Sequence, residues 1–187
     1  MFFVFGAAPA FGGDSYTLNR IQFALGYGNV RLPHISGPTG RGLSIGSVDA
    51  AAGNHSGLVS QQTINLNRWV AVENAFGFYR AGGTFYSEGA TFFTDQVGGK
   101  LTARSLKRFV PLPFGTAGFG GSSVRNPGDI LTSSSSKFGI AARLGGGFEF
   151  PITNSLSLRV EYDRISSRFF GSWETSRHLS AGVAFGF

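Results

Sequence analysis

Six charged residues fall on one side of alternating stretches of this chain and could act together: Glu73, Lys100, Arg143, Glu149, Arg159 and Glu161. Three are acidic and three basic, so the set sums to zero. Grouped in an apolar setting, such charges must pair or cost several kcal/mol each. They would then form either a gated polar pathway or a structural ion-pair network. His178 and Ser180 stand two apart on one strand face, an arrangement that hydrolysis could use if a carboxylate stood beside it. No dedicated acid is identifiable for the pair. The other two histidines, His34 and His55, fall on predicted loops, and the three together show no ligand spacing, so metal binding is not expected. With no cysteine, thiolate metal sites, disulfides and cysteine nucleophiles are excluded. Gly37-Pro38-Thr39-Gly40-Arg41-Gly42 lacks the strand–loop–helix context of a phosphate cradle and reads as flexible turns. No catalytic, cofactor-binding or metal residue is expected.

The composition narrows what could position these groups. The 187 residues include 29 Gly and 20 Phe, while charged residues make up only 14%. A soluble domain of this size carries nearer 25% charge. So much Phe argues against disorder. The only long apolar run, Met1 to Gly13, is too short for a spanning helix, which needs about 20 residues. Residues 1–13 read as the remnant of an export signal, with Ala8-Pro9-Ala10 as an A-x-A cleavage site, or else as a disordered N-terminus; a basic leading region is missing. Residues 14–187 form one domain. If that domain enters a membrane, it does so as a closed barrel.

Period-two alternation supports this. Eight strands are read: Ile21 to Gly28, Leu58 to Leu66, Val70 to Tyr79, Phe93 to Ala103, Phe109 to about Gly120, Phe138 to Phe150, Ser155 to Asp163, and His178 to Phe187. Pro111 and Pro113 make the first half of the fifth irregular. No stretch shows a capped helical stripe. Leu66 to Trp69, Arg104 to Arg108 and Pro151 to Asn154 are predicted tight turns. Pro33 to Gly57, Ala81 to Ala90, Gly121 to Ser136 and Ser167 to Trp173 are predicted longer loops. Short and long connections thus alternate strictly, as in an up-and-down outer-membrane barrel with both termini on the periplasmic side.

The two faces of each strand differ in kind. One carries Phe, Leu and Val. The other is mostly Gly, Ala and Ser with a few charges, as at Gly26, Gly28, Gly139, Gly145 and Gly147. Glycine makes a poor solvent face, whereas small residues suit the crowded interior of an eight-stranded barrel. The small face therefore points inward. Counted from the short-turn ends at about 3.3 Å per residue, the charges fall in one slab in the lower half of the barrel. Since such an interior is normally filled, the structural network is the preferred reading over the pathway. Trp69, Phe109, Phe148, Phe150, Phe185 and Phe187 cluster near the short turns, where an aromatic girdle is expected.

Three stretches resemble the bacterial outer-membrane β-barrel family of small OmpA-like and OmpX-like proteins. They are Leu66-Asn67-Arg68-Trp69-Val70-Ala71-Val72, Gly145-Gly146-Gly147-Phe148-Glu149-Phe150 with Leu156-Ser157-Leu158-Arg159, and the ending from Leu179 to Phe187. The resemblance covers about residues 18 to 187. It implies that Val183, Phe185 and Phe187 form the signal read by the barrel insertion machinery. The peptidoglycan-anchoring role of full-length OmpA-like proteins is not implied. Barrel lipid A deacylases look similar in placing His and Ser two apart on one strand face, but here the pair points inward.

The expected fold is an all-β, eight-stranded antiparallel transmembrane barrel of the bacterial outer membrane. The expected role is structural or surface-interacting, without catalysis or cofactor. A narrow pore for ions or small molecules is the first alternative, and a lipid A-modifying enzyme the second. The net charge of +6 is spread over turns and loops. It lacks the clustered basic face of a nucleic-acid binder. Outer-membrane lipids and lipopolysaccharide are the expected partners, with any extracellular ligand of the long loops open.

Overall fold

A computed structural model describes residues 20–32, 53–80, 90–103, 110–126, 135–169 and 172–187. The N-terminal stretch 1–13, His34, Phe109, the predicted turn 104–108 and most of the predicted long loops lie outside the described residues. Eight strands run in chain order: β1 Ile21–Leu32, β2 Gly53–Asn65, β3 Val70–Arg80, β4 Thr91–Thr102, β5 Leu112–Asn126, β6 Ser135–Pro151, β7 Leu156–Phe169 and β8 Ser172–Gly186. Each pairs antiparallel with the next, and β8 pairs back onto β1 to close the barrel. At the seam Phe187 N donates to Ile21 O over 2.9 Å. Closure leaves no sheet edge, which is the condition for a sheet to sit in lipid.

Two of the short turns are built the same way. Asn67 Oδ1 accepts from the backbone N–H of Trp69 and Val70 at 2.8 and 2.9 Å. Thr153 Oγ1 accepts from those of Ser155 and Leu156 at 3.2 and 3.0 Å. A side chain thus takes up the turn donors that the ladder leaves free. These are the turns read from the sequence at 66–69 and 151–154.

Several boundaries differ from expectation. The predicted loop 167–173 is strand on both sides of residues 170–171, which lie outside the described residues: β7 runs to Phe169, β8 starts at Ser172, and the two residues pair directly. The Ser and Thr residues there look loop-like, but they alternate, with Ser167 and Phe169 inward and Ser166 and Arg168 outward. The predicted loop 121–136 likewise shrinks to 127–134, because Ser122 and Val124 continue the inward parity of β5. The regular part of β5 starts at Leu112 rather than Phe109, and the connection from β4 spans 103–111, longer than the tight turn expected. Connections therefore do not alternate strictly between short and long. His55, placed on a loop by the sequence, is fully buried in β2 opposite Val30. The glycines around it had hidden the alternation.

The assignment of faces holds along the lower two thirds of the wall. Phe23, Leu25, Tyr27, Val72, Phe76, Phe78, Leu158, Val160, Leu179 and Phe185 are all exposed, while Ala24, Ala71, Ala75, Ala141 and Ala184 are buried. Toward the far end of the barrel the polarity inverts. There Asn29 and Arg31 face out, and Val30 and Leu32 face in. The latter join Val59, Tyr79, Ala90, Phe92, Val124 and Phe169 in an apolar cluster inside the barrel. Polar groups thus occupy the middle of the interior, and apolar groups close it at the end away from the termini.

Candidate functional site

The interior polar layer grows out of strand parity. Glu73 on β3, Lys100 on β4, Arg143 and Glu149 on β6, and Arg159 and Glu161 on β7 all point inward and are nearly fully buried. All six expected charges meet in one network. Arg159 Nη2 lies 2.8 Å from Glu73 Oε2 and 3.1 Å from Glu161 Oε2, and its Nη1 is 3.7 Å from Glu149. Lys100 Nζ pairs with Glu149. Arg143 Nη1 is 3.3 Å from Glu73 Oε1, and Nη2 pairs with Glu161. Neutral groups fill remaining sites: Gln61 Nε2 donates to Glu161 at 2.5 Å and Thr63 Oγ1 to Glu73 at 3.2 Å. The ring of Phe114 closes the layer from β5, with Lys100 Nζ and Arg159 Cζ 4.6 and 4.3 Å from its centroid. These are cation–π distances.

A seventh charge belongs to the layer. Asp163 Oδ1 lies 3.1 Å from Arg143 Nε. The expected set of three acids and three bases is therefore four acidic side chains against three basic ones. Asp163 follows Glu161 by two residues and so shares its face. It was missed because it ends the stretch read as a strand, whereas β7 continues to Phe169.

Asp163 also accounts for His178. Its Oδ2 is 3.0 Å from His178 Nδ1, and Tyr79 Oη is 2.9 Å from His178 Nε2. A carboxylate only accepts, so Nδ1–H donates to Asp163, and in the neutral ring Nε2 accepts from the Tyr79 hydroxyl. His178 thus has the carboxylate partner that the sequence did not reveal. The chain Tyr79–His178–Asp163–Arg143 crosses from β3 through β8 and β7 to β6. Glycines make room for it: a Cβ on Gly145 would sit 1.9 Å from Asp163 Oδ1, and one on Gly28 would sit 2.6 Å from His178 Nε2.

Both ring nitrogens of His178 are thus engaged, Nδ1 with Asp163 and Nε2 with Tyr79. Tyr79, His178 and Asp163 are at most 2% exposed. Cavities around Tyr79 and His178, beside Glu73 and Thr116, and beside Arg159 and Ser180 each hold about 10 Å³, room for roughly one water. Among the described residues no cluster could hold a metal ion.

On the outside, Trp69, Phe148, Phe150, Phe185 and Phe187 are exposed and lie at or near the short-turn and terminal end. Phe23 meets Phe187, and Phe148 meets Phe150, each pair with ring centroids 6.4 Å apart.

A closed eight-stranded barrel with a charged, filled interior and an apolar outer wall matches one protein family. Residues 3–187 fit the description "Outer membrane protein beta-barrel domain". The chain belongs to this family. As a bacterial outer-membrane barrel, it meets lipid with the wall of exposed Phe, Leu and Val side chains, and the sequence-based expectation of fold and membrane stands. Solved structures of small outer-membrane barrels share the fold. Neisserial surface protein A aligns with a TM-score of 0.62 at 13% identity, over 89% of this chain and 96% of that one. OprG from Pseudomonas aeruginosa aligns at 0.59 and 12%, over 89% and 95%. Ail, the attachment invasion locus protein of Yersinia pestis, aligns at 0.55 and 15%, over 88% and 97%. No curated protein sequence matches. At these identities the likeness to the solved structures is one of fold.

Proposed function

We propose that this outer-membrane barrel is a non-conducting, non-catalytic scaffold that presents its connections 33–52, 81–89 and 127–134 at the cell surface, with both termini in the periplasm. The filled lumen carries this reading. An ion crossing the barrel would have to displace Arg143 or Arg159 from several carboxylates at once and then pass the apolar cluster around Phe92 and Phe169. Both steps carry large penalties in a low-dielectric interior. Neither the pore nor the lipid A-modifying enzyme is favoured.

In this reading Val183, Phe185 and Phe187 present the outward apolar signal to the insertion machinery. Trp69, Phe148 and Phe150 form the periplasmic girdle; Phe109, expected with them, lies outside the described residues. The partners of the outer wall are membrane lipids and lipopolysaccharide.

The test is single-channel recording of the refolded protein in planar bilayers, with lipid A acyl content followed in parallel. Expected are no openings above the lipid baseline and no loss of acyl chains. Stable openings whose size changes in Arg143→Ala would overturn the scaffold in favour of a pore. Acyl loss abolished by His178→Ala would overturn it in favour of an enzyme.

A further inference from the structure

On the outer face of β7, β8 and β1, three arginines stand in one row across the sheet: Arg164 is directly opposite Arg177, and Arg177 directly opposite Arg31. All three are exposed. Directly opposed side chains start about 5 Å apart, and like charges so placed repel. Among the described residues none of the three forms an ion pair, and no outward position of these strands holds a carboxylate. The neighbouring acids lie on the other parity. Asp163 points inward and is committed to Arg143 and His178, and Glu174 stands opposite Ser167, further up the ladder. Among the described residues the row therefore lacks a counter-anion.

Its surroundings define the anion. Directly below the row, Tyr162 faces Leu179; below them, Val160 faces Ala181, which faces Tyr27. Tyr162, Leu179, Val160 and Tyr27 are exposed apolar wall. Above the row, the hydroxyls of Ser166 and Thr175 bond at 3.0 Å, and higher still Arg168 faces the exposed Trp173. Read upward, the strip is apolar, then cationic, then hydroxylic, then aromatic and cationic. Its polar part continues four residues past Arg164, about 13 Å along the strand. That reach exceeds a glycerol headgroup and suits sugar rings, which bond to hydroxyls and pack on an indole face.

We propose that this strip is a binding site for a phosphorylated glycolipid of the lipid A class. Arg164, Arg177 and Arg31 grip a phosphate, acyl chains lie along Tyr162, Leu179 and Val160, and sugar rings rest against Ser166, Thr175 and Trp173. Guanidinium groups fit because they bind phosphate through two parallel N–H donors. The anion relieves the repulsion within the row. The site rests on the topology proposed above, since the row lies at the end away from both termini.

The experiment measures lipid retained by the intact chain purified in zwitterionic detergent. The probes are bisphosphorylated lipid A, its dephosphorylated form, phosphatidylglycerol and inorganic phosphate as competitor. The variants are the triple Arg31→Ser/Arg164→Ser/Arg177→Ser, the triple change to Lys, and Arg125→Ser on β5 as a control. Wild type should retain about tenfold more bisphosphorylated lipid A than the Ser triple, the scale of losing charge-assisted hydrogen bonds. The Lys triple should fall between, because Lys keeps charge without the bidentate fork. Arg125→Ser should behave as wild type, and dephosphorylated lipid A should bind wild type as weakly as the Ser triple binds the phosphorylated form. Equal retention by wild type and both triples would overturn the site. Phosphatidylglycerol retained as well as lipid A would overturn the glycolipid assignment, and so would full displacement by millimolar phosphate, which would mark a simple anion site. If the Ser triple does not fold, the comparison of Lys triple with wild type decides. Orientation is checked separately. Asn54→Cys, in a chain without other cysteine, should react with an impermeant maleimide on intact cells. Labelling only after lysis would overturn the topology while leaving the detergent result to judge the site.

Discussion

Asp163 and His178 are directly opposite on β7 and β8, with Oδ2 3.0 Å from Nδ1, and this one contact joins the ionic layer to the apolar cap above it. Below, Asp163 holds Arg143, which in turn holds Glu73 and Glu161. Above, His178 meets Tyr79, whose ring stacks on Phe92 with centroids 6.0 Å apart. Opposite strands of the barrel are thereby tied through its centre, where backbone pairing reaches only nearest neighbours.

Arg143 should be the most sensitive position in the layer. It contacts Glu73, Glu161 and Asp163, and its loss leaves those carboxylates underneutralised in a buried site. Breaking a buried ion pair from one side costs about 3–5 kcal/mol. Arg143→Ala should lower stability by that order in urea unfolding from lipid vesicles, followed by the fluorescence of Trp69 and Trp173. A loss below about 1 kcal/mol, the level of a surface pair, would mean that water screens the layer and that the lumen is more open than described.

Tyr79→Phe isolates the top of the chain. The substitution keeps the ring that stacks on Phe92 and removes only the hydroxyl bonded to His178 Nε2. An unsatisfied buried acceptor costs roughly 1–3 kcal/mol. Unfolding should therefore shift by that amount, with no change in the slope against urea. An unchanged midpoint would show that another group, or a water in the small adjoining cavity, satisfies the imidazole.

Much of this was legible in the sequence because a barrel strand has two solvents and a period of two. Glu73, Lys100, Arg143, Glu149, Arg159 and Glu161 could be assigned to one interior layer from parity alone. What parity missed has a physical pattern. Asp163, Ser167 and Phe169 lie where β7 leaves the apolar belt, so outward Leu158, Val160 and Tyr162 give way to Arg164, Ser166 and Arg168, and the contrast between faces fades. At the same height Val30, Leu32 and Phe92 turn inward, reversing the polarity that marks a strand lower down. His55 was hidden by glycines, which carry no hydropathy signal for either face. Tyr79 was placed on the inward face, but its partner His178 lies 99 residues away on β8, a pairing that only closure of the barrel reveals.

The outer wall supplies a final prediction that separates lipid from water as its solvent. Leu25 and Asn29 both point outward from β1, four residues apart. Leu25 is 56% exposed and sits opposite Ser60 and Val183 in the middle of the apolar belt. Asn29 bonds Ser56 near the level at which the wall turns polar. If lipid covers the wall, an arginine at position 25 places a guanidinium near the bilayer midplane, while one at position 29 reaches the headgroups. The costs should then differ: about 2–4 kcal/mol for Leu25→Arg and about 0–1 kcal/mol for Asn29→Arg. In water the order would be reversed or absent, because replacing a half-exposed leucine by arginine on a solvated strand is nearly neutral. The two variants should be compared by unfolding from vesicles of one lipid composition, so that bilayer thickness is common to both. Equal costs at the two positions would contradict a lipid-facing wall at Leu25.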